Sequence, residues 1–296
     1  MGVLEGKAAL VTGAGRGIGR GHCVHLAAAG AAVVVNDIDV EQAERVVAEI
    51  AAAGGKAIAE ASNVATREGA EALVGACAEA FGGVDIVVNN AGIARDRSFL
   101  KMSDEEFEDV WRVHVMGTFL CAQVGARRMR EQGRGGSIIN TTSAAHMGNF
   151  GQANYAAAKG AIASMTYTLA IELARYGIRV NAVSPAATTR LSQTFKGPDG
   201  KEIEMPFLDP ALNGPMVVFL CSAEGSYVTG QVFGTGADRV VLLTQPQYGS
   251  AMIKPGGWRY EDLVQHFKLN LGSKLEPLGI QKKPYPFYGG IEPPEK

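Results

Sequence analysis

Tyr155 and Lys159 stand four positions apart in Asn154-Tyr155-Ala156-Ala157-Ala158-Lys159. On a helix that spacing puts both side chains on one face, a single turn apart. A phenol with an ordinary pKa of about 10 is a poor base at neutrality, but a neighbouring ammonium favours the phenolate. The pair is therefore suited to taking a proton from an alcohol. Alone it is weak evidence, because a half-buried tyrosine beside a solvated lysine gives the same pattern.

A second constellation lies near the start of the chain. Leu10-Val11-Thr12-Gly13-Ala14-Gly15-Arg16-Gly17-Ile18-Gly19 follows a candidate strand and opens a helix. Its glycines let backbone approach a pyrophosphate at the helix N-terminus, which makes Gly13, Arg16, Gly17, Ile18 and Gly19 candidate dinucleotide contacts. The next strand ends at Asp37, 18 residues past Gly19, close to the ~20-residue spacing of a ribose-binding acid. A carboxylate there accepts hydrogen bonds from both ribose hydroxyls and repels a 2′-phosphate, so NAD is expected rather than NADP. Arg16 argues the other way, since a guanidinium in this loop can reach a 2′-phosphate; solvent or the pyrophosphate is its alternative partner.

The elements that must hold these groups are legible as alternating β-branched runs and Ala-rich helical patterns, the signature of repeated βαβ units. Seven strands are expected at 8–11, 32–36, 56–60, 86–89, 137–140, 179–182 and 232–234, several of them continuous apolar runs. That composition suits a parallel sheet covered by helices on both faces. Apolar residues at three- and four-residue spacing place helices at 41–53, 68–80, 104–130, 154–176 and 210–221. After Gly236, seven prolines punctuate the chain, with one modest helical pattern at 260–269. The expected organisation is a dinucleotide-binding domain over 1–240 and an appended extension over 241–296, whose last stretch, 282–296, suits an extended strap.

Composition excludes several classes. With 28 basic against 30 acidic side chains in 296 residues, the chain lacks the basic excess of a nucleic-acid binder. At 47% hydrophobic it can bury a core, which excludes disorder over most of its length. No apolar run approaches the ~18–20 residues that cross a bilayer, since 27–35 is broken by Gly30, so no membrane partner is expected. The first residues lack the charged and apolar regions of a signal peptide, and a cytoplasmic setting is expected. Cys23, Cys77, Cys121 and Cys221 stand singly and read as reduced apolar fillers. His22 and His25 lie three apart on a helix without a third ligand nearby, so no metal is expected. His146, between Ser143 and Tyr155, faces either substrate or solvent.

Taken together, Thr12-Gly13-x-x-x-Gly17-x-Gly19, Asn89-Asn90-Ala91-Gly92, Ser143 and Tyr155-x-x-x-Lys159 resemble the short-chain dehydrogenase/reductase family in order and spacing. The resemblance spans residues 3 to about 240. It implies an α/β doubly wound Rossmann fold with a seven-stranded parallel sheet, and homodimers or homotetramers. It also implies Tyr155 as general acid/base, Lys159 on the nicotinamide ribose, and Ser143 on the substrate oxygen. Thr142 competes with Ser143 for that slot. Where the family has an asparagine whose carbonyl holds a relay water, this chain has His114, either a further proton-relay group or a packed histidine. Asn90, Ala91 and Gly92 would line the adenosine and ribose, Asn63 and Val64 would flank the adenine, and Pro185 to Thr188 would approach the nicotinamide. The family's usual Pro-Gly is Pro185-Ala186 here, and 189–209 should form the substrate lid.

The stretches Asn89–Phe99 and Gly148–Lys159 resemble more narrowly the dehydrogenase unit of peroxisomal multifunctional enzymes type 2, also described as 17β-hydroxysteroid dehydrogenase type 4. That likeness implies NAD-dependent oxidation of a small-molecule substrate, (3R)-hydroxyacyl-CoA, to the 3-oxoacyl-CoA of a fatty or steroid side chain. The alternatives are a 17β-hydroxysteroid dehydrogenase, a 3-oxoacyl-carrier-protein reductase, against which Asp37 argues, or a non-catalytic NAD-sensing protein on the same fold.

Overall fold

Continuous apolar strands require cover on both faces, and helices supply it. The computed structural model describes residues 2–188, 207–236, 238–276 and 278–279. In chain order, β1 (Ala8–Val11), α1 (Gly17–Ala28), β2 (Ala32–Asn36), α2 (Val40–Ala52), β3 (Lys56–Glu60), α3 (Arg67–Phe81) and β4 (Ile86–Asn89) build the first half. The second half is α4 (Asp104–Trp111), α5 (Gly117–Gln132), β5 (Gly136–Thr141), α6 (Ala153–Leu173), β6 (Ile178–Pro185), α7 (Gly214–Cys221), β7 (Val232–Gly236), β8 (Arg239–Leu243) and α8 (Tyr260–His266). The strand order is β3-β2-β1-β4-β5-β6-β7-β8.

Strand alternation divides the core in two. Ala9, Val11, Val33, Val35 and Val88 pack with Leu26, Val46 and Leu220 from α1, α2 and α7. Their neighbours Ala8, Leu10, Val34 and Val87 face Leu73, Cys121 and Met129 from α3 and α5. The four cysteines belong to these layers as free thiols; burial pushes Cys77, Cys121 and Cys221 up to about 12.

The expected seven-stranded parallel sheet needs correction, because an eighth strand is present. β8 pairs antiparallel with β7, Gly236 opposite Arg239. Val240, Val241, Leu242 and Leu243 favour a pleated edge. The sheet therefore runs across residue 240 into what the sequence suggests is a tail. The expected helix over 104–130 is also broken: α4 and α5 are separated by a π-helical turn, Arg112–Met116. The helical pattern at 154–176 resolves into α6 and a 3-10 turn, Ala174–Tyr176, and that at 210–221 into a 3-10 turn, Pro210–Asn213, followed by α7. Most of the expected lid, 189–206, and the 282–296 strap lie outside the described residues.

Sheet order reverses between β1 and β4, which lie side by side in the middle of the sheet. In open α/β sheets ligands bind outside the carboxyl ends of the strands at such a switch point. The glycine loop, Asn90 and the start of the 91–98 loop all leave the sheet there.

Candidate active site

The glycine loop is built for close approach. Gly13 has φ +60, and a Cβ on it would come 2.7 Å from the Ala91 Cα; one on Gly19 would come 2.4 Å from the Gly13 carbonyl oxygen. Thr12 locks this arrangement. Its hydroxyl oxygen accepts from the backbone N–H groups of Asn90 at 2.9 Å and Ala91 at 3.0 Å. The Asn90 amide returns two hydrogen bonds, to the Thr12 and Gly13 carbonyls, both at 2.9 Å. Asn90 thus holds the loop in shape, a role its expected place beside the cofactor did not suggest.

Asp37, half-buried at the end of β2, accepts from Gly15 N–H at 2.9 Å through Oδ2 and from Asp39 N–H at 3.0 Å through Oδ1. Its carboxylate is therefore fixed above the glycine loop, where a ribose would lie. The Arg16 guanidinium is paired with the Asp39 carboxylate, which offsets the charge that would otherwise favour a 2′-phosphate. Val64 is buried, and Asn63 Oδ1 accepts from Ala65 N–H at 3.0 Å. At the end of β6, Ala186 N–H donates to Thr235 at 2.6 Å, and Thr188 exchanges hydrogen bonds with Leu208, both at 2.8 Å. Gly236 lies against Ala186, where the family usually has glycine: a Cβ on Gly236 would meet the Ala186 carbonyl oxygen at 2.3 Å and the Ala186 Cβ at 3.0 Å. This cradle, an acid above it and backbone too close for any side chain, fits a nicotinamide dinucleotide.

Tyr155, Lys159 and Ser143 converge beside it. Ser143 follows β5 and caps a short 3-10 turn, Ala144–Met147, accepting from Ala145 N–H at 3.2 Å. Its side chain lies close enough to the Tyr155 phenol to pull that group's pKa down. Thr142 points elsewhere: it is buried and donates to the Lys159 carbonyl at 2.7 Å. The structure thus brings Ser143, and not Thr142, to Tyr155. His146 folds back to the Ser143 carbonyl.

Lys159 is buried, its Nζ donating to the Thr141 carbonyl at 2.6 Å and standing 5.5 Å from the centre of the Tyr155 ring. Burial pulls its pKa down to about 7. Burial also holds the Tyr155 phenol above its ordinary value, with the Ser143 side chain pulling down and the Asp96 charge pushing up. In the protein without its cofactor, burial thus outweighs the lowering expected of the Lys159 ammonium.

His114 sits in the π-helical turn, edge-on to Tyr155 with ring centres 5.3 Å apart. Its Nε2 is 2.9 Å from the Ile93 amide nitrogen and 2.8 Å from the Ile93 carbonyl oxygen, so the ring accepts from one or donates to the other according to tautomer. Burial first, and the Lys159 charge second, pull its pKa down to about 3. Through Ile93 the ring is joined to the 91–98 loop.

Supporting residues that the sequence reading missed lie under the site. Asn89 donates to Asn140 at 2.9 Å, and Asn140 donates to Thr166 at 2.9 Å. Asn89 stands in the quoted Asn-Asn-Ala-Gly motif without a role assigned to it, while the signal for Asn140 and Thr166 was polarity inside an apolar strand and a helix face. Among the described residues, no group of three or more His, Cys, Asp or Glu is placed to hold a metal ion, and no helix is long and apolar enough to cross a membrane. His22 is fully buried with neither ring nitrogen partnered.

Comparison with known proteins agrees with this geometry. The family model described as short chain dehydrogenase matches residues 7–197. The chain is 42% identical over 258 residues to hydroxyacyl-CoA dehydrogenase ChsB1 of Mycobacterium tuberculosis, covering 82% of this chain and 81% of that protein. It is 39% identical over 260 residues to the peroxisomal multifunctional enzyme type 2 of Mus musculus and 37% identical over 261 to the peroxisomal hydratase-dehydrogenase-epimerase of Neurospora crassa. Each match covers 85% of this chain but only 34% and 28% of those longer proteins. A solved short chain dehydrogenase from Mycobacterium avium superposes with a TM-score of 0.83 at 40% identity, covering 94% of this chain and 98% of that one.

Proposed function

The chain belongs to the short-chain dehydrogenase family, acting on hydroxyl groups, and from that premise we propose that it oxidises a (3R)-hydroxyacyl-CoA to the 3-oxoacyl-CoA with NAD. The observation that carries the chemistry is the convergence of Ser143, Tyr155 and the buried Lys159 beside the glycine cradle. The thioester substrate is supported by the names of the relatives, above all the hydroxyacyl-CoA dehydrogenase that shares 42% identity over most of its length.

Bound nicotinamide supplies the hydride acceptor. Ser143 orients the substrate hydroxyl by hydrogen bonding, and Tyr155 takes its proton as the carbinol carbon is oxidised. Lys159, with a pKa near neutrality, sits where it can steady the developing phenolate. His114 keeps the 91–98 loop against the site. A cytoplasmic setting and self-association as a dimer or tetramer belong to the same proposal.

The preference for NAD rests on Asp37. Asp37→Ala removes the carboxylate that would repel a 2′-phosphate and leaves Arg16 in the loop. The ratio of kcat/KM with NAD to that with NADP is expected to fall by about 10-fold or more, since charged hydrogen bonds contribute about 1.5–3 kcal/mol. An unchanged ratio, or a wild-type protein that prefers NADP, would overturn the assignment of the cofactor.

A further inference from the structure

Residues 91–98 form no regular structure, yet they run beside Tyr155, so side chains from elsewhere must fix them. Ile93 is held by His114. Arg97 N–H donates to the Gly151 carbonyl at 2.8 Å, and the Asp96 carboxylate accepts from the Gln152 amide at 2.8 Å. The remaining tie is Asn154, which is 1% exposed and immediately precedes Tyr155. Its amide nitrogen donates to the Arg95 carbonyl at 2.9 Å and to the Glu106 carbonyl at 3.0 Å. Its Oδ1 accepts from the Tyr155 backbone N–H at 2.7 Å.

Each of these bonds does a separate task. The Tyr155 N–H lies in the first turn of α6, where backbone donors have no partner within the helix. The Arg95 carbonyl of the 91–98 loop and the Glu106 carbonyl of α4 both accept from the one amide, which ties the loop to the helix. One short amide answers all three, and joins the loop, α4 and the start of α6 at the residue next to the phenol.

We propose that Asn154 is a positioning residue for Tyr155, setting the phenol against the 91–98 loop through the two carbonyls it holds and the Tyr155 N–H it caps. The inference rests on the reading of Tyr155 as the proton acceptor. Neither aspartate nor alanine can replace the amide: Asn154→Asp would keep the acceptor but turn a carboxylate toward two carbonyls, and Asn154→Ala would lose all three bonds. Misplacement of a reacting group by about 1 Å costs on the order of 10²-fold in rate.

The test compares Asn154→Ala, Asn154→Asp and the milder Asn154→Ser, whose hydroxyl can still cap Tyr155 N–H, with Asn181→Ala. Asn181 is equally buried, donating to Val228 at 2.9 Å and accepting from Gln231 at 3.0 Å in β6. Two readouts are taken: kcat against pH with NAD, and the ultraviolet phenolate titration of Tyr155, obtained by subtracting the Tyr155→Phe spectrum. The second needs no turnover, so it separates failure of this inference from failure of the proposed reaction.

Asn154→Ala and Asn154→Asp are expected to lower kcat by about 10- to 100-fold, with KM for NAD within about twofold, and to shift the Tyr155 titration. Asn154→Ser is expected to fall between them and wild type, and Asn181→Ala to lose thermal stability with both readouts unmoved. If Asn154 variants lose stability to the same degree as Asn181→Ala while keeping the wild-type titration and pH profile, Asn154 is structural and the inference fails. Should the alanine and aspartate variants fail to fold, a wild-type titration in Asn154→Ser is enough to overturn it.

Discussion

Tyr155→Phe is expected to lower kcat by about 10²–10⁴-fold, the range in which removal of a positioned acid or base falls, while NAD binding stays close to wild type. Phenylalanine keeps the ring that packs edge-on to His114 and beneath the Lys159 ammonium. It removes the hydroxyl that faces Ser143. The fold should therefore persist and only the proton transfer should be lost. Ser143→Ala should cost less, because it removes an orienting bond and leaves the base. Comparing the kcat of Tyr155→Phe with its NAD dissociation constant, measured by quenching or calorimetry, checks the assignment. Near-wild-type turnover would remove Tyr155 from its role.

Acid should unfold the protein through its buried imidazoles. His22 is fully buried and unpartnered, and burial, with the His25 charge second, pulls its pKa from 6.5 to about 3. Because the folded value is the lower one, the unfolded chain binds the extra proton between the two. Stability is therefore full above about pH 6.5 and is lost as pH falls toward 3. At about 1.4 kcal/mol per pKa unit the loss from one such histidine approaches 5 kcal/mol at its limit, comparable with the whole stability of a domain at about 5–15 kcal/mol. His114 adds a similar slope, with its pKa also near 3. His22→Leu should match or exceed wild-type stability at neutral pH, since it also removes two unsatisfied nitrogens, and its advantage should widen on acidification. Urea melts of both proteins between about pH 7 and about pH 4 would show this; parallel loss in both would mean that the His22 imidazole is solvated in solution.

Features written in local pattern are the ones legible in the sequence. Strands β1 to β4 match their expected bounds to the residue, β2 and β4 because their valine- and isoleucine-rich stretches stand out from the polar and glycine residues beside them. The glycine loop and the Tyr155–Lys159 pair are readable because their chemistry fixes spacing. What escapes depends on partners distant in sequence. β8 reads as tail until its antiparallel pairing with β7 is seen. The π-helical turn at 112–116 is invisible to a periodicity count, since it accompanies the bond from His114 to Ile93, 21 residues away. Asn154 carries no signal of its own in the sequence; its amide finds its partners at Arg95 and Glu106, 59 and 48 residues away. Likewise Thr142 and Ser143 are neighbours that only the Lys159 carbonyl tells apart.

The central claim is tested most directly by the initial rate at which the purified protein reduces NAD with a (3R)-3-hydroxyacyl-CoA, set beside the (3S) thioester under the same conditions. The proposed substrate is the (3R) thioester, so a preference between the two hands of the carbinol reads the proposal directly. Rapid appearance of reduced nicotinamide absorbance is expected with the (3R) thioester, and a rate slower by about 10²-fold or more with the (3S) form. Tight NAD binding with no reduction on either thioester, or equal rates on both, would contradict it.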